Sequence, residues 1–202
     1  ASHFGEAAKD FAIHIKGLEL PGYEPRAVKG YALSMATANI GGSHMYGRPR
    51  PELSGETDPF TETKKGAAIA RVQKEQAIED ALVACTFGNS GLKMSDYADY
   101  LFAATGIESF STPVDLMKIG ERILCIERCF NVREGFSRKE DTLPKRMLSE
   151  PLKDAGPATD QVVMNLDGLL DEYYDSLGYT RQGIPTLKKL KFLEIDPPQR
   201  PH

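Results

Sequence analysis

Cys85, Asp80 and His44 are the residues whose type and spacing bear on chemistry. Cys85 ends a helical stretch and precedes a glycine-bearing loop, Thr86-Phe-Gly-Asn-Ser-Gly. A thiolate can ligate a metal, whereas the ordinary fate of a free cysteine is burial as a small structural thiol. Asp80 stands five residues earlier. Its ionised carboxylate is acceptor-only, and a lone Asp on a helix surface reads as a solvated charge. His44 follows Gly41-Gly42-Ser43. An imidazole titrates near neutral pH and can give or take a proton, and two glycines let the backbone approach a bulky group. The same residue also reads as a loop histidine bonded to a neighbouring carbonyl. His3 and His14 have no such setting. Cys125 and Cys129, four apart in a helical run, read as core thiols.

The elements that must position these residues are mostly helical. Phe11, Ile13 and Ile15 alternate with polar or small residues, a period of two that predicts a short extended segment. Pro21 and Pro25 bracket a turn. Residues 26–38 predict a helix ended by Gly41-Gly42, and the proline-bearing stretch 47–59 predicts a loop able to cover a pocket. Residues 64–84 predict a long helix with an apolar stripe at Ala68, Val72, Ile78 and Leu82. Ser95 is read as the cap of a helix stopped by Gly106. Thr112-Pro113 supplies a cap and a first-turn proline for the next helix, 114–130, whose buried face reads as Leu116, Ile119, Ile123, Ile126 and Phe130. Pro144 bars a further helix from starting before it. Residues 159–177 predict an amphipathic helix ended by Gly178, and a short helix follows Pro185. The class is mostly α and multihelical, divided into residues 1–106 and 107–202 or continuous across that seam.

Composition narrows the class of partner. Lys and Arg total 25 against 29 Asp and Glu, a formal charge of −4, so there is no basic field for nucleic acid. No apolar run approaches a membrane span, and no signal peptide opens the chain. Three cysteines at irregular spacing argue against a secreted disulfide framework and fit a reducing cytoplasm.

Several separated runs share one family pattern. They are Lys16-Gly-Leu-Glu-Leu-Pro-Gly-Tyr-Glu-Pro-Arg, Gly41-Gly-Ser-His44, Asp80-Ala-Leu-Val-Ala-Cys85, and Cys125-Ile-Glu-Arg-Cys-Phe-Asn-Val-Arg-Glu-Gly-Phe followed by Asp141-Thr-Leu-Pro-Lys-Arg. The closing stretch runs from Tyr173-Tyr174 through Gly183-Ile-Pro-Thr-Leu-Lys-Lys-Leu. In this order they resemble the carboxy-terminal helical domains of the tungsten-containing aldehyde ferredoxin oxidoreductases, over nearly the whole chain. The opening Ala1-Ser-His-Phe is not a natural initiation sequence. With the resemblance it leads us to expect a carboxy-terminal part or processed half, the alternative being a naturally short paralogue.

The resemblance implies a tungsten (or molybdenum) bis-pterin and a 4Fe–4S cluster, both needing an amino-terminal half with a Cys-x-x-Cys-x-x-x-Cys run that is absent here. It implies oxidation of an aldehyde to a carboxylic acid, with electrons passed to ferredoxin. Cys85 matches the family's remote cluster ligand, Asp80 its pterin-binding carboxylate, and His44 the histidine beside the metal. Arg128, Arg133 and Glu134 match its signature too, and are expected to form ion pairs tying a helix end to the next loop. A homo-oligomer is compatible with this reading. The alternatives are a relative acting on another substrate, such as an aryl-coenzyme A, and a non-catalytic helical scaffold that docks a partner.

Overall fold

A computed structural model describes residues 3–5, 7–8, 11–89 and 91–197. The other residues of the opening Ala1–Asp10 segment lie outside the described residues. Eight α-helices, one hairpin and short 3₁₀ turns at Glu108–Phe110 and Gly156–Ala158 are found among the described residues. The hairpin pairs β1 (His14–Ile15) with β2 (Leu18–Glu19), antiparallel, His14 opposite Glu19. The helices are α1 (Lys29–Thr37), α2 (Arg50–Leu53), α3 (Gly66–Ala81), α4 (Met94–Thr105), α5 (Pro113–Arg133), α6 (Lys145–Ser149), α7 (Leu166–Leu177) and α8 (Leu187–Phe192). The mostly α, multihelical class holds. No helix among the described residues is long and apolar enough to cross a membrane.

The ends of the helices follow local chemistry. Thr112 accepts from the Asp115 N–H, and Pro113 opens α5, where its missing N–H costs nothing. Gly106 and Gly178 close α4 and α7 in the left-handed conformation. Some boundaries differ from expectation. Ser95 lies inside α4, because the Asp96 carboxylate takes the Lys93 N–H and moves the start forward. α7 begins at Leu166 rather than near Thr159, with Asn165 accepting from Gly168 N–H. α1 begins at Lys29, and Arg26 instead reaches Glu24 and the Glu150 carbonyl.

α3 lies at the centre, packed on α1, α5 and α7. A main core gathers Ile15, Tyr31, Leu33, Ile69, Leu124, Leu169, Tyr174, Leu177 and Leu190. A smaller one joins Ile78, Tyr97, Ala98 and Leu116. The buried faces are rotated from those predicted. On α3, Ala68 and Leu82 are exposed, and the inner face carries Ile69, Gln73, Gln76, Ala77 and Ile78. Glutamine is tolerated there because the Gln73 amide is satisfied by the Thr37 hydroxyl, 3.1 Å, and by Tyr173 Oη, 2.5 Å. On α5, Ile126 and Phe130 are 47% and 55% exposed, while Gly120, Leu124, Cys125, Arg128 and Cys129 turn inward. Gly120 allows this rotation: a Cβ there would stand 2.2 Å from the Lys74 carbonyl oxygen. Cys125 and Cys129 are core thiols, as expected.

Arg128 ties α5 to the following loop through buried Asp141, 2.8 Å. Arg133 and Glu134 do not; they pair with each other at 3.0 Å on the surface.

Candidate functional site

His44 rides on the turn that follows α1. That turn lies directly on the β1–β2 hairpin. Gly41, at φ +103°, leaves no room for a side chain, since a Cβ would meet Ile15 O and Leu18 Cβ at 2.8 Å each. The Gly42 N–H donates to Ile15 O, 3.3 Å. Beyond the histidine, the Ser34 hydroxyl of α1 holds the carbonyls of Tyr46 and Gly47, at 3.0 and 2.7 Å. The imidazole, half-buried, stacks on Tyr23 with ring centroids 4.6 Å apart and planes 18° from parallel. Tyr31 tilts against the other ring, 5.1 Å from Tyr23. Burial first, and then the Arg48 charge, holds the His44 pKa below its ordinary value. A neutral imidazole has one donor and one acceptor nitrogen.

Asp80 and Cys85 lie together at the far end of α3. Asp80 is exposed on the last turn and accepts from Gln76 Nε2, 2.9 Å. The same amide lies 3.4 Å from Thr86 Oγ1, next to Cys85. The chain leaves the helix through Val83, at φ +55°, and turns so that Asn89 N–H donates to Cys85 O, 2.9 Å. Cys85 is exposed while the other two thiols are buried. Val83 and Phe87 beside it are 94% and 77% exposed. The His44 loop and the Asp80 carboxylate are referenced to one helix: Gly47 sits against Gln73, and Gln76, nearly a turn later, holds Asp80.

The surroundings of Asp80 and Cys85 hold polar groups without partners. Among the described residues, Glu79 Oε2, Tyr97 Oη and Asn89 Nδ2 are buried without a hydrogen-bond partner. Glu79 precedes Asp80 in the chain, and its other oxygen is 3.5 Å from Arg50. Buried orphans of this kind need an explanation, and a bound polar group is one. Among the described residues no three His, Cys, Asp or Glu side chains converge as a metal site. Cys85 and Asp80 are both exposed at the end of α3. Sequence reasoning missed Tyr23 and Arg48 as partners of His44. Tyr23 lies between Pro21 and Pro25, and Arg48 in the proline-bearing stretch 47–59; neither position carries a local signal that ties it to His44.

The family model described as "Aldehyde ferredoxin oxidoreductase, domains 2 & 3" matches residues 1–195. The chain belongs to the aldehyde ferredoxin oxidoreductase family. It is 40% identical over 193 residues to the tungsten-containing aldehyde ferredoxin oxidoreductase of Pyrococcus horikoshii, covering 93% of this chain and 31% of that protein. The enzyme of the same name from Thermococcus kodakarensis is 41% identical over 192 residues, 92% of this chain and 31% of that one. The chain thus spans about a third of the length of these curated aldehyde ferredoxin oxidoreductases. Among solved structures it is similar to the active site complex BamBC of benzoyl coenzyme A reductase in complex with 1,5-dienoyl-CoA. The TM-score is 0.62 at 20% identity, over 96% of this chain and 34% of that one, a likeness of fold.

Proposed function

We propose that this chain is the helical part of a tungsten- or molybdenum-bispterin oxidoreductase. The whole enzyme oxidises an aldehyde and water to a carboxylic acid, releasing two protons and passing two electrons through a 4Fe–4S cluster to ferredoxin. The observation that carries the reading is the open Asp80–Cys85 pair at the end of α3. Free cysteines are among the most buried residues, and two of the three here obey that rule while Cys85 does not.

When bound, the metal–pterin group and the cluster supply the redox chemistry. This chain's residues do the rest. Cys85 offers a thiolate to one iron. Asp80, oriented by Gln76, accepts from ring N–H groups of the pterin. His44, kept neutral by burial and by Arg48, donates a hydrogen bond to the aldehyde oxygen from one nitrogen and can receive a proton at the other. The Tyr23 stack fixes the plane of the ring during both events.

The test compares Cys85→Ala with Cys125→Ala in the intact oxidoreductase. Loss of a ligand should lower iron content and the reduced-cluster EPR signal, while loss of a core thiol should spare both. Equal loss in both variants would sink the assignment of Cys85. Aldehyde and aryl-coenzyme A substrates, assayed side by side, separate this reading from its relative. A non-catalytic scaffold would hold neither tungsten nor iron.

A further inference from the structure

We infer that Glu127 and Asn131 of α5 are positioning residues that clamp the turn carrying His44. They stand one helical turn apart and so share a face. Asn131 Nδ2 donates to the Asn39 carbonyl, 2.8 Å, on the near side of the turn. Asn39 Nδ2 donates to Glu127 Oε2, 3.2 Å, and lies 3.0 Å from Tyr46 Oη. Tyr46 Oη, on the far side of the turn, donates to the same carboxylate oxygen. One oxygen of Glu127 therefore joins the residues flanking both ends of the stretch that holds His44.

The groups that reach this carboxylate oxygen are neutral, an amide and a phenol. What it supplies is a fixed acceptor point, not a charge pair. An amide carbonyl in the same place would accept both bonds, so Gln should substitute for Glu. The other anchors, Gly42 N–H on Ile15 and Ser34 on the Tyr46 and Gly47 carbonyls, act on the backbone close to the turn. They leave the histidine ring held by its stack on Tyr23. Without the clamp the turn can shift across that ring. A displacement of about 1 Å can cost on the order of 10²-fold in rate.

The effect on turnover rests on the proposed role of His44; the clamp itself rests on the contacts. The experiment uses the intact oxidoreductase with Glu127→Ala, Glu127→Gln, Asn131→Ala and Tyr46→Phe. The last removes the phenol's hydrogen bonds to Glu127 and Asn39 but keeps the ring packed, should Glu127→Ala not fold. Readouts are kcat, KM, tungsten and iron content. A further readout is the rate at which diethyl pyrocarbonate modifies His44, followed by peptide mass spectrometry with His14 as internal reference. We expect Glu127→Ala, Asn131→Ala and Tyr46→Phe to lose kcat, up to about 10²-fold, at parental metal content. His44 should be modified several times faster in all three, with His14 unchanged. Glu127→Gln should restore both kcat and the parental rate of modification.

Parental kcat and parental His44 modification in Glu127→Ala or Tyr46→Phe would overturn the clamp. So would a Glu127→Gln variant as impaired as Glu127→Ala. If His44→Ala keeps full activity, the catalytic reading has failed instead, and the modification rates alone decide the clamp.

Discussion

Arg128 Nη2 lies 2.8 Å from Asp141 Oδ2, with both side chains buried. Lys16 Nζ approaches the other carboxylate oxygen at 2.8 Å, and Tyr174 Oη donates to the first at 2.5 Å. One carboxylate thus joins the hairpin, α5 and α7. Burial alone pushes the Asp141 pKa up, but Lys16 and Arg128 together outweigh it and hold the carboxyl below its usual range. Replacing Asp141 by Ala strands two buried cations. We expect a loss of roughly 3–5 kcal/mol in denaturant unfolding.

The sign of the pH dependence follows. A carboxyl with a lowered folded pKa stabilises fully above its unfolded pKa, about 3.9. That stability falls as pH drops through the lowered folded value. Burial lowers the Lys16 pKa, against the opposing pull of Asp141. Parental protein should therefore lose stability below about pH 4, and Asp141→Asn should lose less of it over that interval. Parallel curves for the two would show that other carboxylates govern acid unfolding.

Gly120→Ala should destabilise the protein. The new methyl would stand 2.2 Å from the backbone oxygen of Lys74, an atom that cannot step aside unless α3 moves. Overpacking typically costs about 1–3 kcal/mol. The gain in helix propensity returns at most about 1 kcal/mol. A lower denaturation midpoint with an unchanged slope is the expected result. A midpoint at or above the parent's would mean that α5 lifts off α3 freely.

His44→Ala in the intact oxidoreductase should lower turnover by about 10²–10⁴-fold and leave tungsten content unchanged. His44→Asn keeps a donor but cannot titrate near neutrality, so it should recover substrate binding and little rate. Full activity in His44→Ala would make the histidine structural.

The acidic limb of kcat/KM should lie below the ordinary histidine value, because burial and then Arg48 disfavour the imidazolium. Arg48→Gln removes the second cause, so the limb should move up toward neutrality. A limb that moves down, or does not move, would dissociate it from His44.

The sequence by itself determined what depends on neighbours in the chain. Thr112-Pro113 opens α5, Gly106 and Gly178 end their helices, and the ordered runs around His44, Cys85 and Arg128 indicate the family. These features rest on capping, on backbone conformation and on residue identity, all of which are local. Tertiary structure decided which face of each helix turned inward. The apolar period on α5 fits either Ile126 and Phe130 or Leu124 and Cys125 inside; Gly120 against Lys74 and Arg128 against Asp141 choose the second. Likewise no local signal shows that Glu172 of α7 caps α3, its carboxylate accepting from Lys64, Lys65 and Gly66 N–H at 2.9, 3.0 and 3.2 Å. Nor does one show that Glu127 reaches Tyr46 across 81 positions of sequence. Side chains far apart in the chain become partners only when the helices pack, and packing energy is non-directional until specific shapes meet.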